Sequence, residues 1–199
     1  LSRHVPQCID LLLREPRVVF LGDAMMDGFG FTDSMEELSK TYSCAEIGTV
    51  GSKTFNVLWR VKYGVFDTVK PDLVVLNLHP SFSDVKTAVD AFKAVVGEIR
   101  AQSPGTKILI LSIYPPKKTG KYSPELPFVL QNKAVAGALA DGQNVFFADV
   151  TAKFFNDDGT LKKELYKDHV YFTEAGYRIW AEAAMPYMKR FASGKNTSR

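Results

Sequence analysis

Continuous apolar runs punctuate the chain at 18–21, 72–78, 107–112 and 145–149, with a shorter one at 45–48. They do not alternate with polar residues, which is the pattern of parallel strands buried on both faces. Between them, apolar residues recur at helical spacing. Over 84–102 the residues Val85, Ala88, Val89, Phe92, Val95, Val96 and Ile99 share one side. That predicts a long amphipathic helix, ended by Pro104-Gly105. Helices are also predicted over 55–62, from Val57, Leu58 and Val61, over 130–139, and within 172–191. Residues 1–16 read as a short helix or an arm packed on the domain. Residues 25–44 are mixed, with one helical turn at 35–38 capped by Asp33 or Ser34. Strands alternating with helices predict an α/β fold, with about five parallel strands covered on both faces. One domain is expected over 1–192, followed by a frayed polar tail over 193–199.

Composition narrows the classes of function. The 199 residues suffice for one sizeable core. With 25 basic and 22 acidic residues, net charge is +3 and gives no argument for a nucleic-acid partner. The clusters Lys117, Lys118, Lys121 and Lys162, Lys163, Lys167 read as solvated surface. Cys8 and Cys44 form neither a metal-type spacing nor a disulfide framework, so a reduced, cytoplasmic setting is expected. The start, Leu1-Ser-Arg-His4, lacks a long apolar core, and no signal peptide is expected. No apolar run approaches a membrane span. Asp27, Asp149, Asp157 and Asp158 lack the spacing of an acidic cation loop, so neither metal nor cofactor is expected. Trp59 and Trp180 read as packing residues on helices.

The candidate chemistry starts where the first strand runs into Gly22-Asp23-Ala24, since ligands of open α/β sheets lie beyond the carboxyl ends of the strands. Further blocks follow: Gly48-Thr-Val-Gly51-Ser-Lys-Thr54, Val57-Leu-Trp-Arg60, Lys62-Tyr-Gly64 with Lys70-Pro71, and Asp168-His-Val-Tyr171 leading into Phe172-Thr-Glu-Ala-Gly-Tyr177. With these blocks, residues 18–181 resemble the SGNH (GDSL) hydrolases. The likeness is closest to the α catalytic subunits of intracellular platelet-activating-factor acetylhydrolase 1B.

The resemblance implies a flavodoxin-like three-layer α/β/α sandwich with its site at the carboxyl edge of the sheet. In that family a serine attacks an acyl ester. A histidine three residues after an aspartate takes the proton, and the aspartate orients it. The serine N–H, a glycine N–H and an asparagine amide hold the oxyanion. Carried over, the nucleophile position is Ala24, and the glycine is retained as Gly51. The asparagine falls on Ser81, and that block's glycine on His79. The aspartate is retained as Asp168, and the base position is Tyr171. A phenol with its ordinary pKa near 10 is a poor base at neutral pH. The Tyr171 ring is expected to fill the old imidazole site, with its hydroxyl near Asp168. The resemblance thus implies a platelet-activating-factor acetylhydrolase-like protein that has lost nucleophile, base and side-chain oxyanion donor, serving as a binding or scaffold subunit.

Two other readings follow from the same residues. The chain is an active hydrolase of acetyl or other short acyl esters if the chemistry has moved, pairing His79 with Ser81 or His169 with a hydroxyl such as Ser52. Or it is a small-ligand sensor in which Gly51 and the Ala24 N–H still hold a carboxylate or phosphate. The plainer readings make His79 a strand-end cap, His169 an exposed loop residue and Asp23 a structural carboxylate that accepts backbone N–H bonds. The pocket is either open or filled by Tyr171, Phe82 and Met25. As partners the resemblance implies a second copy of the chain, a WD-repeat protein, and a lipid or acyl-ester ligand.

Overall fold

The computed structural model describes residues 4–67, 69–79 and 84–193. Five strands, β1 (Val18–Gly22), β2 (Cys44–Ile47), β3 (Leu73–Asn77), β4 (Lys107–Leu111) and β5 (Val145–Ala148), form one parallel sheet in the order β2-β1-β3-β4-β5. Every residue of β1 and β3 is buried, as their unbroken apolar sequences require. Val18 stands opposite both Cys44 and Leu73, which brings the carboxyl ends of β1 and β3 to the same level. The connection direction reverses between β1 and β3, and that switch point is where such a sheet opens a crevice.

Helices cover both faces and make the three-layer sandwich. They are α1 (His4–Arg14), α2 (Ala24–Phe29), α3 (Asp33–Thr41), α4 (Thr54–Arg60), α5 (Val85–Gln102), α6 (Pro127–Leu139) and α7 (Glu174–Phe191). Helix α5 packs between α4 and α6, while α7 crosses β3 and β4 and meets α3. Helix α5 starts where Asp84 Oδ1 accepts the Thr87 N–H at 2.7 Å. Trp180, on α7, is fully buried among Phe29, Tyr114, Phe172 and Tyr177, so its apolar area is withdrawn from water. Trp59 instead stays 40% exposed on α4, against His4 and Tyr63.

Three local expectations change. The mixed stretch after β1 contains α2, whose helical pattern is obscured by Gly28 within it and Gly30 after it; burial of Met25, Met26 and Phe29 outweighs the weak propensity. Helix α3 is capped by Thr32, whose hydroxyl accepts the Met35 N–H at 3.2 Å; Asp33 and Ser34 lie inside the helix. The Glu174 carboxylate, from α7, accepts the N–H groups of Asp33 and Ser34 at 3.1 and 3.0 Å and takes the hydroxyl of Ser34, so a residue 140 positions away finishes that cap. Helix α4 ends at Arg60, and residues 61–65 form a wider π-type turn released at Gly64, where φ is +127°.

Candidate active site

Strand β1 ends against β3 so closely that a Cβ on Gly22 would lie 2.6 Å from the Asn77 carbonyl oxygen. Glycine is therefore demanded there by the approach of two backbones. The next residue, Asp23, is buried and caps α2: Oδ1 accepts the Met25 N–H at 3.0 Å, and Oδ2 accepts the His79 N–H at 2.9 Å. It is the structural carboxylate that the turn predicts, and it fastens β1 to the segment after β3. Burial pushes its carboxyl up to about 6, against the pull of those N–H groups and of the nearby Arg60 charge.

That shift has a consequence for stability. The folded pKa lies above the ordinary aspartate value near 3.9, so the folded protein binds this proton more readily than the unfolded chain. The resulting stabilisation is complete below about pH 4 and is lost as pH rises to about 6. Two pK units correspond to on the order of 2–3 kcal/mol. Relative to Asp23→Asn, the natural protein should thus be more stable at pH 4 than at pH 7 by up to that amount. Urea denaturation of both across this range measures it, and a difference that does not vary with pH would refute it.

Beyond Asp23 opens a cleft of about 440 Å³. Ala24 and Met25 line it from α2, Ser52 and Lys53 from the loop after β2, and His79 from the end of β3. The loop after β4 adds Tyr114 and Pro116 through Lys118, and the segment before α7 adds Tyr166, His169 and Val170. Among the described residues Met25 stands in its wall. Tyr171 is not part of that wall, and Phe82 lies outside the described residues. Ser81 also lies outside them, so its pairing with His79 has no geometry here.

The other singled-out residues distribute as follows. His79 stacks on Tyr114 at 4.7 Å, and burial pulls its pKa down, which favours the neutral ring. His169 is exposed at the rim. Among the described residues no hydrogen bond joins either imidazole to a hydroxyl. Gly51 is exposed, with φ at +72° and nothing within 4 Å of a Cβ placed on it, and it stands just outside the wall that its neighbour Ser52 joins. Asp168 is exposed in a tight turn. Its Oδ1 accepts the N–H groups of Val170 and Tyr171, each at 2.7 Å, which holds its carboxyl below the usual range. The Tyr171 ring lies over Gly28, where a Cβ would come within 2.5 Å of it. Gly28 is four residues after Ala24, so ring and methyl share a face of α2. Beside it the Tyr177 hydroxyl donates to the Met25 carbonyl at 2.9 Å and fixes α2 to α7.

Several participants escape the sequence. Lys117 and Lys118, read as solvated surface, line the cleft; Lys117 Nζ donates to the Tyr166 carbonyl at 3.4 Å. Tyr114 supplies the aromatic floor, and burial above all, then the Asp23 charge, drives its hydroxyl pKa well up. Arg60 is buried, donating to the Gly22 carbonyl at 2.8 Å, to Thr49 Oγ1 at 2.9 Å and to Gln7 Oε1 at 3.4 Å. Neither lysine nor Tyr114 carries a local pattern that marks it, and Arg60, though part of the Val57-Leu-Trp-Arg60 block, carries none that marks its burial; only the convergence of segments from different strands brings them together. Among the described residues no group of three His, Cys, Asp or Glu side chains is placed to hold a metal ion, and no helix is long and apolar enough to cross a membrane.

Comparison with known proteins bears on the family and the fold. The sequence profile of the GDSL-like Lipase/Acylhydrolase family matches residues 20–179. Platelet-activating factor acetylhydrolase IB subunit alpha1 of Pongo abelii is 27% identical over 183 residues, covering 89% of this chain and 77% of the relative. Subunit alpha2 of Rattus norvegicus is 26% identical over 182 residues, covering 89% and 78%. In three dimensions, a GDSL-like lipase from Bacteroides thetaiotaomicron superposes with a TM-score of 0.70 at 18% identity, over 95% of this chain and 97% of that one.

Proposed function

The chain belongs to the GDSL-like lipase/acylhydrolase family, and from that premise we propose that it is a platelet-activating-factor acetylhydrolase-like protein that keeps the cleft for binding and has given up hydrolysis. The observation that carries this reading is Ala24. Its methyl lines the cleft at the end of β1, where the family resemblance calls for the attacking serine. A methyl group offers no lone pair to an acyl carbon. The base position holds Tyr171, packed over Gly28, and a phenol is a poor proton acceptor beside the imidazole it replaces. The relatives are named as subunits. That fits a place in an assembly; from the family resemblance we assign the chain a binding or scaffold role in the cytoplasm, with a second copy of the chain and a WD-repeat protein as its partners.

The test is release of 4-nitrophenolate from 4-nitrophenyl acetate by the natural chain, beside His79→Ala and His169→Ala. All three should match the buffer background. A second reading, a short-acyl ester hydrolase with relocated residues, draws on one observation: His79, His169 and Ser52 meet in the same cleft. Turnover by the natural chain that disappears on removing either histidine would establish it and end the binding-only reading.

A further inference from the structure

We propose that the cleft is a site for a small organic phosphate, with Lys53, Lys117 and Lys118 meeting the phosphate and the apolar wall holding the organic body. The inference rests on the binding reading above and deepens it by naming the ligand's chemistry.

The charge balance of the wall is the first ground. Three lysines, Lys53, Lys117 and Lys118, face one carboxylate, Asp23. Both oxygens of Asp23 are already engaged by backbone N–H groups, so it has little left to offer a lysine. Asp168 is close enough to Lys117 to feel its charge, so the excess of positive charge rests mainly on Lys53 and Lys118. Lys53 and Lys118 stand in no ion pair among the described residues. Lys53 and Lys118 are exposed and Lys117 is half-buried; a concave surface with an excess of one sign concentrates counter-ions. Ammonium groups on flexible stems meet phosphate as point charges.

The second ground is position. Lys53 comes from the loop after β2 and the other two from the loop after β4, so the charges approach from two sides of the opening. His169 adds a donor at the rim and His79 one deeper in. An anion between these loops touches strand-end segments that the sheet holds rigid. Lys162 and Lys163, by contrast, do not line the cleft.

The third ground is the remaining surface. Met25, Tyr114, Pro116, Tyr166 and Val170 give the cleft an apolar side. Tyr114 is braced by His79 and Phe172, and the Tyr166 hydroxyl donates to the Pro115 carbonyl at 2.6 Å. Inorganic phosphate would leave that side bare. A volume of about 440 Å³ lies within the range of small-molecule sites.

Isothermal titration of the whole chain with phenyl phosphate tests the proposal, with phenol and inorganic phosphate as comparators. Phenyl phosphate should bind saturably with a Kd below about 1 mM, tighter than either comparator. Lys117→Gln/Lys118→Gln should weaken it by roughly tenfold or more, as expected for lost charge-assisted contacts. Lys162→Gln/Lys163→Gln should leave it unchanged. Affinity no better than that of phenol, or an equal loss in both double variants, would overturn the site. Equal affinity for inorganic phosphate would overturn the role given to the apolar wall. Ester turnover by the natural chain would sink the binding reading yet leave lysine-dependent affinity measurable. Absence of that affinity in a chain without turnover would sink only this inference.

Discussion

The chain carrying Ala24→Ser and Tyr171→His together is expected to hydrolyse 4-nitrophenyl acetate roughly 10³–10⁴-fold faster than the natural protein, while each single variant stays near background. The size follows from how triads behave. In a serine protease, loss of the serine or the histidine alone costs about as much as losing the whole triad, near 10⁶ in turnover. Restoring one therefore returns almost nothing. Restoring both returns most of the effect, less about 10²–10³ for the absent asparagine-type oxyanion donor. The fold supplies what the pair needs. Position 24 faces the cleft at the end of β1, and the Tyr171 ring lies over Gly28 on the same face of α2. Asp168 is three residues before position 171, in a turn that its own Oδ1 stabilises. If Ala24→Ser alone matches the double variant, another group is acting as base, and His79 or His169 becomes the candidate. If the folded double variant remains silent, the assignment of the base to position 171 is wrong.

The parts of this molecule that could be read in the sequence are those whose cause is local. Strands β1 and β3 are legible because burial on both faces forces an unbroken apolar run, and α5 because one buried side forces a 3.6-residue period. Asp23 is legible as a structural carboxylate because a Gly-Asp turn before a helix has few other uses for it. Helix α2 is not, since its stability comes from burying Met26 and Phe29 against the sheet and from the bond between Tyr177 and the Met25 carbonyl. The cap of α3 is only half legible, because Glu174 completes it from another helix. Lys117 and Lys118 look the same as Lys162 and Lys163 in sequence. What separates them is the loop after β4, which lines the cleft. Ala24 and Tyr171, by contrast, are visible only through the resemblance, because neither alanine nor tyrosine announces a lost function on its own.

The cost of removing Arg60 should be the largest stability loss of any single substitution near the cleft: Arg60→Ala is expected to lower stability by about 3–5 kcal/mol. Its guanidinium is buried, and burial pulls its pKa down while Glu46 first, then Asp23 and Asp27, hold it up. Taking the charge away leaves those acidic groups facing a dry interior without it. The same side chain joins three segments: Gly22 at the end of β1, Thr49 in the loop after β2 and Gln7 on α1. Gln7 also donates to the Gly48 carbonyl at 2.8 Å, where a Cβ on Gly48 would meet the Asp27 nitrogen at 2.1 Å, so the loop has no room to settle elsewhere. Arg60→Lys keeps a charge but loses the fork that reaches two partners at once, and should recover only part of the loss. In a chain of this size the alanine variant should melt about 10 °C lower, and urea curves should give the free energy directly. Built into the chain that carries Ala24→Ser and Tyr171→His, it should also cut the regained ester hydrolysis, since Gly22 and Thr49 set where position 24 and the Gly51 loop stand. A loss below about 1 kcal/mol would mean that the buried acids find other partners and that Arg60 does not fasten the site.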